Sequence, residues 1–187
     1  MPISFVGVGF GAMEVGLPAL AVHSGHRAAS GVLVALWAAG SLVGGLSIAG
    51  RGSDRRIVTR YRVLILCIAL GEAPLIAARS LPIAIALSLV AGLSIAPFFT
   101  CVYVLIGRLA QPGSETEAFT WMSTAIVGGA SLGLAAGGTL SASVGIAGPF
   151  VLAVAATLLA GLLTWILLPL EVQRQAVAHP GSGLRVT

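Results

Sequence analysis

Residues 29–49, ASGVLVALWAAGSLVGGLSIA, are followed by GRGSDRRIVTRYR at 50–62 and by VLILCIALGEAPLIAA at 63–78. An apolar run, a link holding Arg51, Arg55, Arg56, Arg60 and Arg62, and a second apolar run stand in succession. A helix needs about 20 apolar residues to cross the hydrocarbon core of a bilayer. Lipid offers nothing to bond an open backbone amide or carbonyl, so both runs are expected to be helices. The arginine-rich link cannot follow them into hydrocarbon, so the chain leaves the membrane there and re-enters it.

The same alternation extends in both directions. Spans are expected at residues 4–22, 29–49, 63–78, 82–109, 118–142 and 147–170. The fold class is therefore all-α: a polytopic membrane protein of six transmembrane helices in one domain, residues 1–170. The polar tail, 171–187, contains Pro180, Gly181 and Gly183 and is expected to be disordered and cytoplasmic. Composition agrees: of 187 residues 57% are hydrophobic and 9% charged, and the mean hydropathy is +1.04. A soluble domain carries about 25% charged residues, so a soluble enzyme, a disordered chain and a nucleic-acid-binding domain are excluded.

All ten basic residues are Arg, and they lie between or just inside the apolar runs. Eight of the ten fall on one side of a six-span chain, in 50–62, at Arg108 and in the tail, with Arg27 and Arg79 opposite. The positive-inside rule then puts the 50–62 link and both termini in the cytoplasm of a cell (plasma) membrane. Cys67 and Cys101 both sit within apolar runs, as small hydrophobes and not as a disulfide. No cleavable signal peptide is expected, because the first run lacks a basic leader and a small-residue cleavage site.

Local signals refine the spans. Ser114 and Glu117 have the spacing of a capping box, with Glu115 beside the positive end of the helix. Pro97, midway along the fourth span, is expected to kink it. Gly7 and Gly11, Gly40 and Gly44, and Gly129, Gly133 and Gly137 repeat at four residues, which lets helix backbones approach closely in lipid.

Gly50-Arg51-Gly52-Ser53-Asp54-Arg55-Arg56 resembles the Gly-x-x-x-Asp-Arg signature of the major facilitator superfamily, between its second and third or its eighth and ninth helices. Ile57 or Val58 stands where the family has a later Gly, which makes the weaker, second copy the better match. GFGAMEVGLPAL at 9–20 is similar to a seventh helix, ALWAAGSLVGGL at 35–46 to an eighth, and TEAFTWMSTAIVGGASLGLAAGG at 116–138 to an eleventh helix of actinobacterial members. The resemblance covers residues 1 to about 170 as the C-terminal half. It implies a latch in which Gly50, Asp54, Arg55 and Arg56 hold one face of the bundle shut; the plainer reading is that these arginines anchor the loop. It also implies a partner: either the reading frame is truncated, or the half bundle meets a second six-helix half, the missing N-terminal one or another copy of itself.

Two carboxylates fall inside spans, Glu14 in the first and Glu72 in the third. A charge at bilayer depth is costly, so each is expected to be paired, protonated or facing a cavity. In the resembled fold the seventh helix lines the central cavity and the ninth is peripheral, which ranks Glu14 above Glu72 as a substrate or proton-coupling residue. Trp37, Phe98, Tyr103 and Trp121 are candidates to line the cavity. His23 and His26 have metal-like spacing but no Cys or carboxylate beside them, so no metal is expected. The absence of Lys excludes a phosphate-binding Gly-Lys loop, no cofactor is called for, and no Ser/His/Asp set is present. The leading expectation is a non-enzymatic secondary transporter half, proton-coupled, moving small organic molecules. A six-helix substrate-capture subunit of a multi-component importer and a non-transporting accessory membrane protein are the alternatives.

Overall fold

The computed structural model describes residues 2–49, 57–111 and 113–178, with side chains as far as residue 167. Its elements are α1 (Ile3–His23), a 3-10 turn (Arg27–Ala29), α2 (Ser30–Ile48), α3 (Ile57–Glu72) running into a second 3-10 turn (Ala73–Ala77), α4 (Leu81–Gly92), α5 (Ile95–Leu109), α6 (Glu115–Ser143) and α7 (Ala147–Ala178). Among the described residues, Ile3–His23, Arg27–Ile48, Leu81–Leu109, Glu115–Ser143 and Ala147–Leu167 are each long and apolar enough to cross a membrane. The remaining stretch, 57–77, carries Arg60, Arg62 and Glu72 and ends in a 3-10 turn at Pro74.

Helix packing shows that this stretch crosses as well. The backbones of Ser4, Val8 and Ala12 on α1 lie against Gly129, Gly133 and Gly137 on α6. Both series advance by four in the same direction, so α1 and α6 run parallel. Leu89 and Leu93 lie against Gly40 and Gly44 in the same sense, so α2 and α4 are parallel too. Two consecutive spans cannot be parallel unless one crossing separates them, and only 57–77 lies between α2 and α4. Against α7 the order reverses: Arg62 meets Trp165, Ile65 meets Gly161 and Glu72 meets Thr157, as an antiparallel pair must. The described residues form six spans.

Glycine makes these contacts possible. A Cβ on Gly7 would run into the carbonyl of Ile126, on Gly11 into that of Ala130, and on Gly133 into that of Val8. In hydrocarbon no hydrophobic gain drives one helix onto another, so the attraction comes from such close backbone packing. The links at 24–29, 78–80 and 144–146 lie at one end of the bundle, here the far end. The tight turns at Gly25 and Gly145 need the left-handed backbone, φ 80° and 96°, that glycine adopts without cost.

The fourth span is broken, as Pro97 predicts, but three to four residues earlier, at Leu93–Ser94 between α4 and α5. Pro97 has no N–H to offer the carbonyl four residues before it, which is that of Leu93. That carbonyl lies instead against Gly44, where the absent side chain leaves room for a Cα–H contact.

Other local expectations are corrected. α3 begins at Ile57, inside the stretch read as a loop, because Ile57, Tyr61, Ile65 and Ile68 form one buried helical stripe that the intervening arginines mask in the sequence. α7 continues to Ala178, past the expected limit at Leu170. The capping box at Ser114 does not form: the Ser114 hydroxyl donates to the Gln111 carbonyl, and Glu117 accepts from Trp121 Nε1, while Glu115 accepts the Gly113 N–H.

This packing separates two kinds of glycine on one helix. Gly133→Ala is expected to destabilise the bundle by about 1–3 kcal/mol by overpacking. Gly138→Ala, at a position with nothing within 4 Å, is expected to leave stability unchanged. Thermal unfolding of the two variants in the same detergent checks the contrast.

Candidate functional site

α1 is the most enclosed span, and its sequence explains why. Gly7 and Gly11 admit α6 on one side. Gly9 and Gly16 admit α7 on another, with Thr157 Oγ1 2.7 Å from a Cβ built on Gly9 and the Phe150 ring 2.9 Å from one built on Gly16. From Ile3 to Ala21 every described residue is buried or half-buried except Glu14. Within that stretch, the one position that opens outward is occupied by the one carboxylate of the helix.

An arc of aromatic rings joins four helices, beginning on α1 one turn before Glu14. Phe10, one turn before Glu14, meets Trp37 of α2 edge-on at 5.7 Å and Phe99 of α5 at 5.8 Å. Phe99 continues to Tyr103 at 6.3 Å, and Tyr103 to Phe119 of α6 at 5.9 Å. Ring pairs at such distances hold their helices in register. Trp37 is buried, and its indole Nε1 has no hydrogen-bond partner among the described residues. Tyr103 is exposed at the edge of the arc.

The structure sorts the expected residues. Trp37 and Tyr103 belong to the arc. Trp121 stands exposed on α6, donating from Nε1 to Glu117 Oε1 at 3.4 Å. Phe98 is wholly buried and stacked on Tyr61 at 5.2 Å, so it packs α5 against α3 and reaches no open face. Phe10, Phe99 and Phe119 escaped the sequence reading, since a lone aromatic in an apolar run carries no mark of its neighbours. Gly50, Asp54, Arg55 and Arg56 lie outside the described residues. Of the arginines nearby, Arg62 sits with its guanidinium 4.7 Å from the centre of the Trp165 ring, a cation–π contact between α3 and α7.

Glu72 differs from Glu14 in every respect but depth. It is fully buried at the end of α3, and Thr157 Oγ1 of α7 donates to its Oε2 at 3.3 Å, while Oε1 has no partner among the described residues. Thr157 also abuts Gly9 of α1, so one hydroxyl joins three helices. Glu72→Ala, which leaves a cavity and an unbonded hydroxyl, is expected to cost about 2–4 kcal/mol. Glu72→Gln, which keeps the acceptor, should stay within about 1 kcal/mol of the parent. Unfolding in detergent distinguishes the two.

A buried α1 packed parallel on α6, a broken fourth span and a mid-span carboxylate on the open face now stand together. No curated protein and no solved structure matches the chain. The family model described as Major Facilitator Superfamily matches residues 3–185, nearly the whole chain. The chain belongs to the Major Facilitator Superfamily, whose members are membrane transporters and not enzymes.

Proposed function

We propose that the chain acts as the C-terminal six-helix half of a proton-coupled secondary transporter of the plasma membrane, with Glu14 as the proton-carrying residue and a small organic molecule as substrate. The exposure of Glu14 carries this reading. An ionisable group in mid-membrane faces a partner or a water-filled cavity, not lipid. The face of α1 that bears it is therefore the wall of a passage, and the aromatic arc beside it offers ring surfaces to an apolar substrate. Trp37, whose indole N–H has no hydrogen-bond partner among the described residues, belongs to that arc.

A second half closes the passage. α6 exposes Thr120, Thr124, Ser131 and Thr139, each with its hydroxyl bonded to a carbonyl of its own helix. Gly128 and Gly138 on the same helix meet nothing within 4 Å. Such a surface is smooth and has its hydrogen bonds satisfied, so another helix can approach it closely and also slide. Alternating access between two halves needs both. The cytoplasm lies at the end holding the 50–56 link, by the arginine asymmetry, and Asp54 with its arginines latches that end.

Two measurements test this. With Cys67 and Cys101 replaced, Ser53→Cys and Thr187→Cys are expected to react with a membrane-impermeant maleimide only after permeabilisation, and Gly25→Cys in intact cells. The opposite pattern reverses the orientation. In proteoliposomes of the assembled transporter under an imposed pH gradient, Glu14→Gln is expected to abolish proton-driven transport while the protein still folds. Glu72→Gln is expected to keep most of it. Parental rates for Glu14→Gln would reduce Glu14 to a helix-packing residue.

A further inference from the structure

At the far end of the bundle, away from Glu14, a cavity of about 370 Å³ opens between the end of α1, the 73–80 segment and the start of α7. Leu20, Leu75 and Phe150 lie buried behind it, and Ile76 and Val144 give it an exposed apolar lining. His23 and Arg79 line it, and both are exposed. α7 begins at Ala147, also in the lining, so the positive end of a long helix dipole adds to their field.

Nothing acidic answers this charge. Of the six carboxylates, Asp54, Glu115, Glu117 and Glu171 belong to the opposite end in sequence, Glu14 lies in mid-span, and Glu72 is held by Thr157 in the α3–α7 seam. Neither Arg79 nor His23 has an ion-pair partner among the described residues. Positive charge also accumulates on the other face of the bundle, so topology gives no reason for a guanidinium here. Hydrocarbon-compatible walls beneath a cationic lip, at the depth where the spans end, match an amphipathic anion.

We infer that this cavity binds the headgroup of an anionic phospholipid, with the phosphate on Arg79 and His23 and the glycerol and first acyl carbons on the exposed apolar side chains of Ile76 and Val144. Arg presents a planar fork of donors suited to phosphate, and the imidazole of His23 can add an N–H in either protonation state. The bound lipid would tie the end of α1, the helix bearing Glu14, to α7 and to the 73–80 segment. This assignment does not depend on which substrate the transporter moves or in which direction.

The test uses the full chain released from phosphatidylcholine nanodiscs doped with phosphatidylglycerol, with retained lipid counted by native mass spectrometry. The parent is expected to retain one phosphatidylglycerol in preference to phosphatidylcholine. Loss of a charge-assisted hydrogen bond corresponds to about a tenfold drop in affinity, which is the reduction expected for Arg79→Gln; His23→Gln should also reduce retention. Arg27→Gln removes the same charge from the same end of the bundle but outside the cavity, and it should retain lipid as the parent does. Equal retention by Arg79→Gln and the parent overturns the site. Equal loss in Arg27→Gln and Arg79→Gln overturns it as well, since the effect is then general surface charge. Displacement of the lipid by inorganic phosphate overturns the lipid assignment in favour of a soluble anion.

Discussion

The rest of the bundle depends on the backbone-to-backbone contact of α1 with α6. Gly7 and Gly11 on one helix and Gly129, Gly133 and Gly137 on the other bring carbonyls to where side chains would stand. Hydrocarbon solvates a leucine as well outside the bundle as inside it, so apolar burial gives little reason for two helices to meet. Removing side chains at the contact does, because every backbone atom then gains a packing partner that lipid tails supply less well. Once α6 occupies that side of α1, and Gly9 and Gly16 have admitted α7 on the next, only one direction remains for a polar residue of α1. Glu14 takes it. The close contact and the exposed carboxylate are two consequences of one distribution of small residues.

Proline and glycine act together in the same way at the fourth span. Pro97 frees the carbonyl of Leu93, and a free carbonyl facing lipid would cost several kcal/mol. Gly44 of the parallel α2 lies against it. The break therefore sits between helices and not toward lipid. At the end of α3, Pro74 ends regular helix in a similar way, and the chain continues as a 3-10 turn to Ala77.

How much of this the sequence disclosed follows from the range of each interaction. The spans were legible because hydropathy is a sum over about 20 neighbouring residues, and the glycine spacing because it is periodic along one helix. The break at Pro97 was legible from one residue. The start of α3 was hidden because the charges of Arg60 and Arg62 outweigh, in any local reading, the buried stripe from Ile57 to Ile68. The capping box at Ser114 failed because the Ser114 hydroxyl turns back to the Gln111 carbonyl and Glu117 accepts from the Trp121 indole one turn on. The aromatic arc was not legible at all: its rings come from four helices, and no local pattern says that Phe10 meets Trp37 and Phe99. The same holds for Glu72 and Thr157, which lie 85 residues apart.

The two mid-span glutamates show why residue type and depth do not settle a role. Both would cost several kcal/mol as bare charges in hydrocarbon, and each avoids that cost differently. Glu72 is surrounded by its own half bundle, bonded to one hydroxyl, with no open route from its carboxyl to the outside. Enclosed and bonded in this way, Glu72 is suited to holding α3 and α7 together. Glu14 is enclosed on its flanks and open in front, so something outside the described helices must complete its surroundings. In the function proposed above, water or a second half does so, and changes when the two halves rock. A carboxylate whose environment is supplied by the moving part is one whose hold on a proton can alternate, which is the physical requirement for coupling.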